Sequence, residues 1–368
     1  MISLGQTDWL LIIPRLGCGG TERSVVLMAE ELLRRGQSTT LVSFALPTDA
    51  RRSFFELGAI KHIELKDEGE SQGVFSALKN NFNRVRRIRG VVRDEKPRVV
   101  VSFLPQMNIL TLIATSKLQS KVIVSERNKL FARPEHHIWR LARRILYPRA
   151  HRVTGNSVEI VEQLSRILKS KNVHLVRNML AARNVKPAVT DHKREQIILN
   201  VGRLVPQKNH ELLIKSFAQS VAFKRGWVLA LVGEGSEKSR LRKLTMMLGI
   251  ERAVRFVGES RSVDCWYNRA DMFVLTSNFE GTPNAVLEAM YFGLPVICTD
   301  SCGGVNELIE TGRDGYVIPA FPSIVTRYID MLVEDRCSRL RLGECATRTI
   351  EKFYSKEAIT DWLDLTRQ

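Results

Sequence analysis

The chain has 368 residues, of which 44% are hydrophobic and 26% are charged. This length exceeds one ordinary hydrophobic core and predicts two globular domains of roughly 180 residues each. No apolar run reaches the ~18 residues that a membrane-spanning helix needs, and the stretch from Trp9 to Pro14 lacks the basic start and cleavage site of a signal peptide, so we expect a cytoplasmic protein. Six cysteines without a C-x-x-C pair are typical of reduced thiols and argue against a disulfide framework or a zinc site.

The net charge of +17 is concentrated in the first half of the chain. Residues 1–190 contain 32 Lys and Arg against 16 Asp and Glu, a net charge of +16, whereas residues 191–368 contain 24 against 23. A basic half joined to a nearly neutral half predicts that the first domain faces an anionic surface or polymer.

The first half alternates apolar strand-like runs with helical patterns. Strands are predicted at WLLIIP, TTLVSF, RVVVSFL, KVIVS and HRVTG, and the first helix at GGTERSVVLMAEELLRRG. Near-continuous apolar strands separated by helices predict a parallel sheet covered on both faces, and therefore an α/β domain.

A glycine-rich loop follows the first strand. Gly17, Gly19 and Gly20 precede the first helix, and glycines there let backbone N–H groups approach a phosphate or a sugar at the helix N-terminus. The spacing does not match G-x-G-x-x-G and the next strand does not end in an acid, so an NAD site is not expected. A tight turn without a ligand remains the alternative.

Two later segments have the pattern of basic amphipathic helices. They are VFSALKNNFNRVRRIRGVVRDEK and HHIWRLARRILYPRAHR, in which apolar residues recur at helical intervals among many arginines. Such helices can lie on anionic lipid, where each cation near the surface contributes on the order of 1 kcal/mol. The alternative is that they pack on the sheet and leave a basic face in solvent.

The polar stretch NVKPAVTDHKREQ predicts a linker between Ala181 and Glu195, after which strands resume at IILNVGRL, WVLALVG, VRFVG, MFVLTS and PVICTD. We predict an N-terminal domain at 1–185, a C-terminal domain at 190–350 and a final helix at 355–368 that returns toward the N-terminal domain. Both domains would be doubly wound, with a cleft between them.

Two cations follow the first strand of the second domain. Arg203 and Lys208 would lie at the carboxyl edge of the sheet, where ligands bind in open α/β folds. Two cations on such a loop can neutralise a diphosphate, although an Arg–Lys pair on its own is more often surface charge.

Two acids surround the start of a later helix in EGTPNAVLEAMYFGLPVICTD. Glu280 follows the strand MFVLTS, Thr282 is a predicted N-cap and Pro283 a predicted first helical residue. Glu288 would lie about one and a half turns into this helix, roughly 8 to 9 Å along its axis. The two carboxylates would then be too far apart to share a proton, but could bind two hydroxyl groups at opposite ends of one ligand. The alternative is that Glu288 is a surface residue.

These motifs resemble those of retaining GT-B glycosyltransferases of family 4. The resemblance rests on Glu280-x7-Glu288 with AMYFGLPVI, and on GRLVPQKNHELLIKSF, LVGEGSEKSRLRKL, VRFVG and GRDGYVI. It is dense from about Ile197 to Pro319 and thinner in the first half, which contains GCGGTE.

The resemblance implies a nucleotide-sugar donor and assigns roles to the motif residues. Arg203 and Lys208 would stabilise the departing diphosphate, Glu280 would bind a sugar hydroxyl, and Glu288 would bind the ribose. The helix start would contact the donor through Gly281, Thr282, Pro283 and Asn284, and the opposite domain through Gly19 and Gly20. Neither a metal nor another cofactor is implied, and the sequence contains no Asp-x-Asp.

One motif departs from the family. Many members carry a histidine after the strand equivalent to KVIVS, whereas this chain has Ser125, Glu126, Arg127 and Asn128. This run resembles the branch that builds bacterial surface polysaccharides. We assign Glu126 to the catalytic residues, and Arg127 and Asn128 to acceptor binding or positioning.

The resulting hypothesis is a cytoplasmic glycosyltransferase at the inner face of the plasma membrane. It would transfer a hexose or N-acetylhexosamine to a polyprenyl-diphosphate-linked glycan of O-antigen, capsule or exopolysaccharide. The donor would be a nucleotide sugar, and the motifs favour a UDP-linked one. The alternatives are a soluble enzyme acting on a free sugar and, from the charge alone, a nucleic-acid-binding protein. The last lacks an aromatic stacking platform or a known binding motif, so no nucleic acid is expected. The sequence does not indicate an oligomeric state.

Overall fold

The computed structural model describes residues 7–17, 19–45, 57–67, 73–130, 137–180, 195–260, 262–353 and 355–367. The predicted linker lies outside these residues except for Glu195. Contacts within the chain define two compact units. Unit 1 comprises Met1–Ala181 with Phe353–Gln368, and unit 2 comprises Ala182–Lys352.

Unit 1 is built on a parallel sheet whose described strands lie in the order β3-β2-β1-β4-β5-β6-β7. The strands are β1 (Trp9–Ile12), β2 (Thr39–Ala45), β3 (Lys61–Lys66), β4 (Val99–Phe103), β5 (Lys121–Glu126), β6 (Arg152–Gly155) and β7 (Val173–Leu175). The order reverses between β1 and β4, and ligands of doubly wound folds bind at the carboxyl ends of the strands beside such a reversal.

Helices cover both faces of this sheet. They are α1 (Gly20–Arg34), α2 (Val74–Glu95), α3 (Pro105–Ala114), α4 (His137–Leu146) and α5 (Val158–Leu168). One core contains α1, and the other contains apolar side chains of α2, α3 and α5. The strands β1 and β4 are fully buried, as expected for parallel strands between two helical layers.

Unit 2 has a second parallel sheet, with described strands in the order β10-β9-β8-β11-β12-β13. The strands are β8 (Ile197–Val201), β9 (Val228–Val232), β10 (Val254–Gly258), β11 (Met272–Leu275), β12 (Val296–Thr299) and β13 (Gly315–Ile318). The helices are α6 (His210–Gln219), α7 (Val221–Lys224), α8 (Lys238–Met247), α9 (Val263–Arg269), α10 (Asn284–Tyr291), α11 (Pro322–Glu334) and α12 (Arg336–Thr349). Here the order reverses between β8 and β11. The loop with Arg203 and Lys208 follows β8, and Glu280 follows β11.

The final helix, α13 (Ser355–Arg367), belongs to unit 1. Ile359 and Trp362 are buried in the same core as α1, and the rings of Trp362 and Phe103 meet edge-on at 5.9 Å between centroids. Lys121 Nζ donates to the carbonyl oxygen of Thr366 at 2.7 Å. The end of the chain therefore completes the core of the unit that its beginning forms.

Candidate active site

Two hydrogen bonds made by Gln207, one through its side chain and one through its backbone, join the loop after β8 to the loop after β11. Residues 206–208 form a turn of 3-10 helix in which Gln207 is buried. Gln207 Nε2 donates to the carbonyl oxygen of Phe279 at 3.0 Å, and the carbonyl oxygen of Gln207 accepts from the amide of Asn278 at 2.8 Å. These bonds bring the Lys208 and Glu280 side chains to one place on the sheet edge.

Lys208 and Glu280 form an ion pair, Nζ donating to Oε1, and only 14% and 9% of their side chains are exposed. A largely buried pair is held firmly, because losing either partner leaves a desolvated charge. Arg203 lies on the same loop but is exposed and forms no ion pair within the described residues. The two cations predicted to act together therefore differ: Lys208 is fixed and Arg203 extends into solvent.

Glycines allow the loops after β8 and β9 to touch. Gly233 has φ +142°, and a Cβ atom there would overlap the carbonyl oxygen of Gly202. Just beyond, the amide of Leu204 donates to the carbonyl oxygen of Glu234 at 2.9 Å. The loop after β9 therefore holds the backbone on either side of Arg203 in place.

His210, the first residue of α6, is buried beneath this loop. Its Nε2 lies 3.0 Å from Asn200 Oδ1, and Asn200 Nδ2 donates to the carbonyl oxygen of Val274, so the histidine is the donor of that bond. Burial, assisted by the nearby Lys208 charge, lowers the pKa of His210 to about 4. The imidazole is therefore neutral at physiological pH.

Glu288 is buried in α10, with 5% of its surface exposed, so the alternative of a surface residue is wrong. The hydroxyl of Tyr267 donates to Glu288 Oε2 at 2.9 Å and lies 3.3 Å from the carbonyl oxygen of Ala285. The Tyr267 ring stacks on Phe292 with 5.3 Å between centroids. Sequence reasoning missed Tyr267, because it lies on α9 and no local pattern links it to Glu288.

The start of α10 differs from the prediction by one residue. The helix begins at Asn284, and Pro283 occupies the N-cap position with an extended backbone and no side-chain cap. The expected Thr282 cap and the expected first helical position of Pro283 are therefore wrong. Proline fits the position because its fixed φ also suits an extended residue. Gly281, Thr282 and Pro283 are buried, and Asn284 is half-buried.

In unit 1, Gly19 is the N-cap of α1 and Gly20 is its first residue. Gly17 also lies in the described part of this loop, whereas Cys18 falls outside it. A Cβ atom on Gly19 would overlap the carboxylate of Glu22. Glu22, which was not singled out from the sequence, therefore lies directly over the loop.

Glu126, the last residue of β5, is completely buried. Its Oε1 accepts from the hydroxyl of Tyr147 at 2.5 Å and from Arg143 Nε at 3.2 Å. Burial, followed by the charge of Glu126, raises the pKa of Tyr147 well above its ordinary value, so the phenol stays a proton donor. The structure brings Glu126 together with α4 and the turn after it, and the sequence did not indicate Arg143 or Tyr147 as its partners.

Arg127 is also buried, whereas Asn128 is exposed. Arg127 donates to Asn178 Oδ1 at 2.7 Å, and its guanidinium carbon lies 5.1 Å from the ring centre of Phe103 and 5.5 Å from that of Trp362. Burial lowers the pKa of Arg127 to about 9. The side chain is thus a fixed cation between two aromatic rings at the carboxyl end of β5.

Each of the two basic helices exposes a stripe of apolar residues. In α4, Ile138, Leu141 and Ile145 are 65%, 59% and 53% exposed, whereas Arg143 is buried. In the first half of α2, Phe75, Leu78 and Phe82 are 89%, 62% and 67% exposed. Of the described helices, none is long and apolar enough to cross a bilayer. Both helices also pack apolar side chains against the core of unit 1, among them Trp139, Ala142 and Leu146 of α4 and Ile88 and Val92 of α2. Each helix therefore has one apolar face on the core and a second apolar stripe in solvent.

No group of three metal-ligating side chains occurs among the described residues. The five cysteines in this part of the chain, Cys265, Cys298, Cys302, Cys337 and Cys345, are free thiols.

Two family models match consecutive parts of this chain. Residues 182–349 match the model described as glycosyl transferases group 1, and residues 19–179 match the glycosyl transferase 4-like domain. The first match corresponds to unit 2 and the second to most of unit 1.

Among curated proteins, the chain is 25% identical over 359 residues to an α-1,4-N-acetyl-D-galactosaminyltransferase of Campylobacter jejuni, covering 96% of each chain. The name of that enzyme gives its acceptor as a GalNAc-containing glycan on diphospho-undecaprenol. The chain is also 29% identical over 215 residues to the lipopolysaccharide core biosynthesis glycosyltransferase LpsE of Rhizobium meliloti, covering 57% of this chain and 62% of LpsE.

Solved structures share the fold. Sucrose-phosphate synthase from Thermosynechococcus elongatus superposes with a TM-score of 0.85 at 16% identity, covering 99% of both chains. Anabaena HepE, solved in complex with UDP and glucose, superposes with a TM-score of 0.80 at 17% identity, covering 98% of this chain and 99% of HepE.

Proposed function

Because this chain belongs to the family 4 glycosyltransferases of GT-B type, we propose that it transfers one sugar from a nucleotide donor to a lipid-diphosphate-linked glycan in bacterial surface-polysaccharide assembly. The sugar would be a hexose or N-acetylhexosamine, and the product would enter O-antigen, capsule or exopolysaccharide. One observation carries the proposal: Lys208 and Glu280 meet at the carboxyl edge of one sheet, at the start of the helix that contains the buried Glu288.

The donor would bind along this edge of unit 2. Lys208 and the exposed Arg203 would neutralise the diphosphate as negative charge develops on it, which is the largest electrostatic demand of the reaction. Glu288, oriented by Tyr267, would accept hydrogen bonds from the ribose hydroxyls, and Glu280 would bind a hydroxyl of the sugar. The backbone of residues 281–284 would contact the donor at the start of α10. Gly19 and Gly20 would contribute backbone contacts from unit 1.

The reaction would keep the anomeric configuration. The bond between the anomeric carbon and the diphosphate oxygen breaks as the acceptor hydroxyl oxygen attacks from the same face. The departing phosphate oxygen accepts the acceptor's proton. Arg203 and Lys208 supply the positive charge that stabilises this leaving group, so we propose that turnover requires no metal.

Glu126 fits a positioning role better than direct contact with substrate, because its carboxylate is buried and engaged by Arg143 and Tyr147. The exposed Asn128, two residues further on, is available to the acceptor.

The acceptor proposal is supported by unit 1. Its basic charge would attract an anionic leaflet, and the exposed apolar stripes of α2 and α4 would insert among lipid headgroups. The Campylobacter relative, which covers nearly the whole chain, is named for an acceptor on diphospho-undecaprenol. We therefore propose peripheral association with the inner face of the plasma membrane. The UDP in the HepE structure, which has the same fold, supports UDP as the nucleotide.

The test is a transfer assay with a panel of UDP-, GDP- and ADP-sugars and prenyl-diphosphate-linked glycan acceptors, run with and without chelator. We expect transfer from one donor, an unchanged anomeric configuration by NMR, and a rate that chelator leaves unchanged. Absence of transfer or donor hydrolysis across the panel would contradict the proposed activity. A strict requirement for manganese would contradict the metal-free mechanism, and inversion would contradict the stereochemistry.

A further inference from the structure

Arg127 directly follows the last residue of β5, and no carboxylate among the described residues pairs with its charge. Only 6% of the residue is exposed. In the part of the chain that the structure describes, it donates one hydrogen bond, to the neutral amide oxygen of Asn178, and its Nε has no partner there. Within the described residues it forms no ion pair.

The neighbouring acid does not supply the missing charge. Glu126 precedes Arg127 in the chain, but its Oε1 is bound by Arg143 and Tyr147. Burial is the cause of the lowered pKa of Arg127, which agrees with a cation that no carboxylate pairs with in the described part of the chain. Because a buried charge is costly unless paired, such an arginine favours an anionic ligand.

The guanidinium is held by aromatic rings rather than by an acid. Phe103 ends β4, and Trp362 comes from α13, so the two rings fix Arg127 from different parts of the chain. Cation–π contacts stabilise the cation without using its fork of N–H donors. That fork matches the oxygens of a phosphate group.

Backbone strain lies next to this arrangement. Leu104, directly after Phe103, has φ 76° and ψ 145°, a conformation that non-glycine residues rarely adopt. Its amide donates to the carbonyl oxygen of Ser125 at 3.1 Å, which ties the end of β4 to the end of β5. Strain of this kind persists where the surrounding structure fixes a functional geometry.

We propose that Arg127 binds a phosphate of a diphosphate ligand at the carboxyl end of β5, and that α13 holds it in position through Trp362. The inference rests on the proposed function, because that reaction brings two diphosphates to the protein. One belongs to the nucleotide donor and the other to the lipid acceptor.

The experiment measures dissociation constants of the full chain for UDP and for farnesyl diphosphate, by calorimetry. Arg127→Met should weaken one of the two by about tenfold or more, the effect of losing a charge-assisted hydrogen bond, and should leave the other within about twofold. Loss for UDP assigns Arg127 to the donor, and loss for farnesyl diphosphate assigns it to the acceptor. Arg127→Lys should recover part of the lost affinity, because it restores the charge but not the fork.

Two further variants separate binding from folding. Arg89→Met is the matched control: Arg89 also belongs to unit 1 and donates to two carbonyl oxygens, those of Ala114 and Ser116, so its loss should change neither affinity. Trp362→Leu should weaken the same ligand as Arg127→Met by a smaller factor and spare the other, whereas a purely structural role would lower both affinities together. Circular dichroism checks that each variant is folded.

Each remaining outcome overturns the inference. If the native chain binds UDP or farnesyl diphosphate and folded Arg127→Met binds both unchanged, the assignment of Arg127 is wrong and the proposed function stands. If the native chain binds neither ligand, the assignment of Arg127 fails, and the transfer assay across the donor panel decides separately whether the proposed function fails.

Discussion

At the scale of single residues, the proposed donor site depends on charges whose partners come from different strands. Lys208 and Glu280 are far apart in sequence, yet they form an ion pair because Gln207 and Asn278 join their loops. The sequence could place both residues after strands, and hence at one edge of the sheet. It could not show that they touch, because that depends on the register of the two loops.

Substitution should separate the roles of the two glutamates. Glu280→Gln removes the partner of Lys208 and a ligand of the sugar, so we expect kcat to fall about 100-fold or more, comparable with the loss of one transition-state contact in other enzymes. Glu288→Gln should instead raise the donor KM by about tenfold with a smaller change in kcat. Initial rates with the donor identified by the panel provide the measurement.

Glu310→Gln is the control for this pair. Glu310 is an exposed acid of unit 2, paired on the surface with Arg313, so both kinetic constants should remain near native. A Glu280→Gln variant that keeps more than about half of the native kcat would remove Glu280 from the site.

His210 predicts a pH dependence of stability. Its pKa is about 4 in the folded protein and about 6.5 when unfolded, so the unfolded chain binds the extra proton between these values. Stability from neutral His210 is therefore complete above about pH 6.5 and is lost as the pH falls toward 4, by about 3 kcal/mol in total.

Urea unfolding of the full chain at pH 7.5 and pH 5, followed for unit 2, tests this pH dependence. The native chain should lose stability between the two, and His210→Gln, which can still donate to Asn200, should lose distinctly less. Equal pH dependence of the two proteins would show that His210 does not titrate as described.

At the scale of elements, α4 shows most clearly where sequence reasoning stops. The spacing of Ile138, Leu141 and Ile145 predicted a helix, and the helix is present. The same spacing does not tell whether the apolar stripe faces the sheet or the solvent, because both orientations satisfy a 3.6-residue period. In the structure Trp139, Ala142 and Leu146 pack against the core and Arg143 binds Glu126, so the stripe of Ile138, Leu141 and Ile145 faces solvent. The sequence around Arg143 does not indicate that it pairs with Glu126, and neither does the sequence around Glu126.

Removing this ion pair from one side should destabilise unit 1. Arg143→Met leaves the Glu126 carboxylate buried without its cation, so we expect a loss of about 3 to 5 kcal/mol. Arg144→Met removes the next arginine, which is exposed, and should change stability by less than about 0.5 kcal/mol. Hydrogen exchange of α4 and β5 amides reports the local stability. Equal protection in the two variants would mean that the Arg143–Glu126 pair does not hold α4.

At the scale of the whole molecule, alternating strands and helices predicted the α/β class, and the parallel sheets of both units confirm it. The family resemblance is likewise confirmed by the two model matches. These features are encoded locally, in apolar runs and strand-end motifs. The burial of Glu126, Arg127 and Glu288 is not, because it requires contacts between segments distant in the chain.

The excess positive charge and the exposed apolar stripes of α2 and α4 all belong to unit 1, so unit 1 is the part of the protein that we propose contacts the membrane. We expect the protein to sediment with vesicles that contain anionic phosphatidylglycerol at about 0.05 M salt. It should be released as salt approaches about 1 M, where the screening length falls to about 3 Å. Neutral phosphatidylcholine vesicles should retain much less protein, because each cation near an anionic surface contributes about 1 kcal/mol.

Leu141→Ser with Ile145→Ser should weaken vesicle binding at every salt concentration, because two exposed apolar side chains can each contribute about 1.5 to 3 kcal/mol when buried. Met246→Ser with Met247→Ser is the matched control, since these residues are 67% and 84% exposed but lie on unit 2. It should leave binding unchanged. If the native protein stays in solution with anionic vesicles at low salt, membrane association is wrong. Equal losses in the two double variants would mean that α4 is not the helix in contact with lipid.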